Sequence, residues 1–186
     1  MKVYVIDNGG QWTHREWRVL KYLGVSAEIV ANNVPFERIE DADAIVLSGG
    51  APRIGMQNKL GNVDEYLKRA NFPVLGICAG HQYMARFFGG ECKPSAIPEY
   101  GKVEVKIIEH NGIFRGLPDK IIAWESHNDE VIKIPKNFVL LASSQYCEIQ
   151  AMKHENKPFF GLQFHPEVEH TQYGMEIFKN FLEEAK

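Results

Sequence analysis

Apolar and polar positions follow two textures along this chain, and the change falls near Gly89-Gly90. Before it, short unbroken apolar runs are separated by stretches with helical spacing. Residues 3–6, 27–30, 44–47 and 74–77 have the length and continuity of strands buried on both faces. Residues 13–23 and 63–70 read as helices. The first offers Trp17, Leu20, Tyr22 and Leu23 to a sheet and stops at Gly24. Residues 82–88 suit a third helix. Strand and helix in alternation predict right-handed crossovers, and hence an α/β fold with a doubly wound, mainly parallel sheet flanked by helices.

Past the glycine pair, Pro94, Pro98 and Gly101 mark a loop, and residues 103–107 alternate apolar and charged. Apolar runs at 121–124, 131–134, 139–142, 149–152 and 159–164 follow too closely for helical crossovers. They predict a smaller antiparallel β region in the second half. Residues 175–182 form a closing helix, with Met175, Phe178, Phe181 and Leu182 on one face. No repeat, low-complexity tract or linker interrupts the pattern. Residues 1–186 are therefore expected to form a single domain.

Composition adds mainly exclusions. A net charge of -3 without a long basic run argues against nucleic acid or an acidic membrane surface as partner. Cys78, Cys92 and Cys147 are odd in number and lack C-x-x-C spacing, so neither a disulfide framework nor a zinc knuckle is suggested. The first strand begins almost at Met1, no signal peptide is visible, and no apolar run is long enough to span a bilayer. A reducing cytoplasm is the expected compartment.

Chemistry concentrates at the ends of the early strands, where open α/β sheets bind their ligands. Asp7, Ser48-Gly49-Gly50 and Cys78 all fall there. Gly76-Ile77-Cys78-Ala79-Gly80 is G-x-C-x-G at a strand-to-helix turn, the thiol form of the nucleophile elbow. A nucleophile pushed out on a tight turn needs a strained backbone, and flanking glycines let strand and helix approach closely. A small buried cysteine beside packing glycines would read the same way. The best base for Cys78 is in Gln163-Phe164-His165-Pro166-Glu167. In an extended segment His165 and Glu167 point the same way, so Glu167 can orient the imidazole that takes the thiol proton. One of seven histidines could also sit there by chance.

Ser48-Gly49-Gly50 leaves backbone amides free to approach an anion, and Gly50 with Ala79 would make an oxyanion hole. An ATP-pyrophosphatase loop, S-G-G-x-D-S, is excluded, because Ala51-Pro52-Arg53 follows. No P-loop and no G-x-G-x-x-G follows the first strand. Cys78, His81, His165, Glu167 and His170 could be combined as metal ligands, but their spacings match no usual zinc pattern, and no metal is expected.

With G-I-C-A-G-H-Q, F-H-P-E and L-S-G-G all present, the chain resembles the class I, triad-type glutamine amidotransferases over nearly its whole length. The resemblance implies that Cys78 attacks the side-chain amide of glutamine, releasing ammonia and forming a glutamyl thioester that water hydrolyses. It implies His165 as base, Glu167 as orienter, and Gly50 and Ala79 as oxyanion-hole amides. It also implies that Gln82 and a loop of Ser126, His127, Asn128 and Asp129 hold the polar head of the substrate. Four stretches are most similar to the GMP synthase branch: Asp7-Asn8-Gly9-Gly10-Gln11, Glu99-Tyr100-Gly101, Trp124 to Asp129, and His165 to Thr171. One departure is that Ala51 precedes Pro52, where the family places proline directly after Gly-Gly.

No ATP-binding segment follows in the sequence, so the resemblance implies a separate ATP-pyrophosphatase synthetase subunit. ATP and magnesium are expected there, with no cofactor in this chain, and the ammonia would aminate XMP to GMP. His127, Asp129, His170 and Thr171 are the expected partner contacts, and the lone subunit is expected to be slow. Alternatives are a glutaminase serving anthranilate or aminodeoxychorismate synthesis, a γ-glutamyl hydrolase or cysteine peptidase on a similar fold, and a catalytically silent binding module.

Overall fold

In a computed structural model describing residues 1–186, the apolar runs of the first half become β1 (Lys2–Asn8), β2 (Ser26–Ala31), β3 (Ala44–Gly50) and β4 (Val74–Ile77). The helices between and after them are α1 (Thr13–Tyr22), α2 (Val63–Arg69) and α3 (Ala79–Phe87). The second half supplies β5 (Glu91–Ile107), β6 (Lys120–Lys133), β7 (Phe138–Ser143), β8 (Ala151–His154), β9 (Phe159–Leu162) and α4 (Gly174–Glu183). All nine strands form one sheet, ordered β2-β1-β3-β4-β9-β8-β7-β5-β6. The β2-β1-β3-β4-β9 part is parallel and the rest antiparallel.

Two apolar clusters of 25 buried residues each lie on the two faces of the sheet. Equal burial of both faces explains why the early strands read as unbroken apolar runs rather than alternating ones. Val3 and Val5 serve one cluster, and Tyr4 and Ile6 the other.

Three expectations are corrected. Residues 121–124 and 131–134 are not two strands with a loop between them: β6 is continuous and pairs with β5 through Gly101↔Glu125, Tyr100↔Ser126 and Glu99↔His127. Its buried face runs Ile121, Ala123, Glu125, His127, Asp129, Val131, so the period of two persists while the side chains turn polar. Likewise Pro94, Pro98 and Gly101 lie inside β5, which tolerates them through a register break between Pro94 and Glu99. Finally, α3 starts at Ala79, directly after Cys78, not at Gln82.

Candidate active site

Cys78 is the junction between β4 and α3, with φ 49° and ψ -105°. Only three non-glycine residues in the chain have positive φ. A bulky side chain there is strained and persists only where its surroundings impose it. The flanking glycines supply that frame. A Cβ on Gly76 would meet the Gly80 carbonyl carbon at 2.7 Å, so only glycine lets strand and helix close around the cysteine. The Cys78 amide donates to Leu162 O at 2.8 Å, which ties the turn to β9.

His165, the expected base, arrives from the chain that leaves β9. His165 N donates to Trp124 O at 3.0 Å, and Thr171 Oγ1 donates to His165 O at 2.7 Å while accepting from Trp124 N. The His165 backbone is thus fastened to β6 from both sides. Its Nδ1 lies 2.7 Å from Glu167 Oε1. Both side chains are buried, and Trp12 closes over the imidazole edge-on, with ring centroids 4.5 Å apart. Burial opposes a charge on His165, but the Glu167 carboxylate and hydrogen bonds with Cys78 and Glu167 outweigh it and hold the ring well above its ordinary pKa.

The glycine end of β3 passes between these groups. A Cβ on Gly49 would stand 3.1 Å from His165 Cε1 and 3.6 Å from Cys78 Cβ, so a side chain here would wedge nucleophile and base apart. Asn8 pins the turn: its backbone amide donates to Ser48 Oγ and its side-chain amide to Ser48 O, both at 2.9 Å. Gly50 bridges to Gly9 and borders the cavity. Ala79, as the first residue of α3, has an amide without an intrahelical acceptor.

These pieces surround a cavity of about 300 Å³, walled by residues 9–13, Glu16, Gly49 to Ala51, Cys78, Ser126, His165 and Glu167. Of the residues expected to hold a substrate head, only Ser126 borders it. Its carbonyl accepts from Cys78 Sγ at 3.8 Å, and Gln163 Nε2 donates to the same sulfur at 3.6 Å. Gln82 has its side-chain nitrogen on Asp129 O (2.7 Å) and Gln163 Oε1 (3.0 Å). His127 faces away, into a buried network with Glu99 at 2.9 Å. Asn128 points to solvent, and Asp129 is held by Arg53 and the Gly55 amide.

The expected partner contacts are corrected by the same facts. His127, Asp129 and Thr171 are buried and engaged within the chain, and only His170, tilted against Trp124, is exposed. Neither do the possible metal ligands converge. His81 is wholly buried on Gly161, gives Nε2 to Ile149 O, and is pushed down to about 3 by burial, so it is a neutral core histidine. Ligand atoms of Glu99, His127 and Cys147 do come within 4.8 Å of one another. The Glu99 oxygens already accept from Ser144, Gln150 and His127, which accounts for the cluster as a polar core.

Sequence reasoning missed the roles of Trp12 and Glu16 in this wall. Trp12 carries no signal. Glu16 does: it interrupts the inward stripe Thr13, Glu16, Leu20 of α1 with a carboxyl.

A strained cysteine at a helix start, a buried His-Glu pair and a glycine turn between them define a thiol-dependent acyl-transfer site. The class I glutamine amidotransferase profile matches residues 4–185, and the chain belongs to that family. Within it the chain is of the type formed by the separate glutaminase subunits of GMP synthases. It is 54% identical over 183 residues to the glutamine-hydrolysing GMP synthase subunit of Thermoplasma volcanium, covering 98% of this chain and 91% of that one. The protein of the same name from Pyrococcus furiosus is 48% identical, with 96% of each chain covered. A crystal structure described as a putative GMP synthase subunit from Thermoplasma acidophilum superposes with a TM-score of 0.95 at 49% identity, covering 100% of this chain and 94% of that one.

Proposed function

We infer that the chain hydrolyses glutamine to glutamate and ammonia and passes the ammonia to a separate synthetase subunit that aminates XMP to GMP. The observation that carries this is the pairing of strained Cys78 with the buried His165–Glu167 couple on one cavity wall. In this reading the Cys78 sulfur attacks the side-chain amide carbon, and Gly50 and Ala79 N–H groups take the developing oxyanion. The tetrahedral intermediate collapses as the His165 imidazolium protonates the departing nitrogen, leaving a glutamyl thioester on Cys78. His165 then takes a proton from water, which attacks the thioester and frees glutamate. Glu167 keeps the ring oriented through both steps.

The substrate-head contact is assigned to Ser126, with Gln82, His127 and Asp129 acting behind it through the buried network that fixes β6. ATP and magnesium belong to the synthetase subunit, with no site needed in this chain. The relatives' names favour this branch over a glutaminase serving chorismate-derived products. No helix is long and apolar enough to cross a membrane. Three free cysteines support a reducing, cytoplasmic setting.

Glutamate production tests the reading in three mixtures: this chain alone, with an ATP-pyrophosphatase synthetase subunit, and with that subunit, ATP and XMP. Strong stimulation in the complete mixture is expected. Full activity without any partner, or activation by a chorismate-using subunit, would overturn it.

A further inference from the structure

Glu16 stands outside the triad, yet it walls the same cavity. α1 turns Thr13, Glu16 and Leu20 inward, and Glu16 is 1% exposed. Its Oε2 has no hydrogen-bond partner. The titratable groups facing it are Glu167 and His165, beyond β9, and Asp7, at the end of β1. Asp7 is itself occupied by the Gly9 amide and Thr13 Oγ1. On its own helix, His14, Arg15 and Arg18 are exposed and none pairs with Glu16, while Arg15 and Arg18 border an open groove that Glu167 also lines.

A buried carboxylate without a cation takes up a proton rather than remain charged. Burial first, and the charge of Glu167 second, hold Glu16 well above the usual carboxylate range; His165 and the Gly49 amide pull the other way. Glu16 therefore ionises late, beside a histidine that must stay protonated to release ammonia.

We propose that Glu16 tunes His165: buried in the same cavity wall, its carboxyl, once ionised, adds a second negative charge beside the ring. This rests on the glutaminase reading for its activity readout. A second carboxylate keeps the imidazolium protonated to higher pH, so the alkaline fall of kcat/KM lies higher than the His165–Glu167 pair alone would set it. No bond to carbon changes, and the proton that Glu16 loses goes to water.

The test is the pH profile of kcat/KM for glutamine, measured with the synthetase subunit present. Glu16→Gln keeps the shape but cannot ionise. Its alkaline limb should move to lower pH, with the apparent acid constant rising about three- to tenfold, as expected for loss of one nearby charge. Glu16→Leu, which cannot ionise either, should move the alkaline limb in the same direction. The rate of Cys78 alkylation by iodoacetamide, followed against pH, should shift with Glu16→Gln in the same direction whatever the natural substrate is. An alkaline limb and an alkylation profile that coincide with wild type would overturn the proposal. Absence of glutaminase activity in wild type, with the alkylation shift intact, would instead overturn only the glutaminase reading. If Glu16→Gln fails to fold, Glu16→Asp must give a smaller shift of the same sign, and no shift there is equally fatal.

Discussion

Arg53, in the segment following β3, reaches across to Asp129 on β6 and grips both carboxylate oxygens, with Nε 3.0 Å from each and Nη2 2.5 Å from Oδ1. The Gly55 amide adds a third donor at 3.0 Å. The Asp129 side chain is 3% exposed and that of Arg53 43%, which makes this a rim clamp between the segment after β3 and the far strand. It also gives the Ala51-Pro52 departure a physical setting, since the segment after Gly50 is fixed by Arg53 and Gly55 instead.

Loosening that clamp should misplace the Gly50 amide. Arg53→Ala and Asp129→Asn are each expected to lower kcat/KM for glutamine by up to about 10²-fold, the scale on which a 1 Å misplacement is felt. The double variant should be little worse than either single one, because both remove the same contact. Fully multiplicative losses in steady-state kinetics would show that the two residues act separately.

The nucleophile is the second case. Cys78→Ala should abolish ammonia release, whereas Cys92→Ala and Cys147→Ala should retain it, since burial pushes both of those thiols up and away from the reactive thiolate. Cys78→Gly should melt no lower than Cys78→Ala, although glycine is the more flexible residue. A positive φ costs alanine about 1–3 kcal/mol that glycine escapes. Thermal melts of the two variants decide this.

For the couple behind it, His165→Ala should cost about 10²- to 10⁴-fold in kcat, the usual worth of a positioned general base. Glu167→Gln should cost less, because Trp12 and the ties to β6 still hold the ring. Equal activity of His165→Ala and wild type at neutral pH would contradict the triad.

How much of this is legible in the sequence depends on what burial does to each residue. The early strands announce themselves, since apolar runs such as Val3 to Ile6 have no alternative but a sheet covered on both faces. Cys78, His165 and Glu167 are legible because their spacing carries the chemistry. β6 is not: Glu125, His127 and Asp129 occupy inward positions, and polarity there imitates a loop unless the partner of His127 on β5 and those of Asp129 in the segment after β3 are known. Glu16 and Arg53 are hidden for the same reason: Glu16 shares its cavity wall with His165 and Glu167, and Arg53 grips Asp129, all far away in sequence.

Glu125 makes stability pH-dependent. It is wholly buried and neither oxygen has a hydrogen bond; burial, aided by Glu99, pushes it up to about 8 against the pull of His127, whose Nε2 lies 3.5 Å from Oε2. A carboxyl that holds its proton more tightly when folded favours folding less as pH rises from the ordinary carboxylate range to about 8. The melting temperature should therefore fall between pH 5 and 8, and Glu125→Gln should reduce that fall. At about 2–4 °C per kcal/mol for a chain of this size, the difference is measurable by calorimetry. Parallel curves for variant and wild type would contradict the assignment.

Covalent capture of the nucleophile by a glutamine-shaped electrophile tests the central claim most directly. The chain, assembled with its synthetase subunit, is treated with a diazoketone analogue of glutamine, and the label is mapped by peptide mass spectrometry while residual glutaminase activity is followed. The account predicts one label per chain, on Cys78, with activity lost in step and protection by glutamine. Activity that persists with Cys78 fully labelled, or that disappears with the label elsewhere, would contradict it.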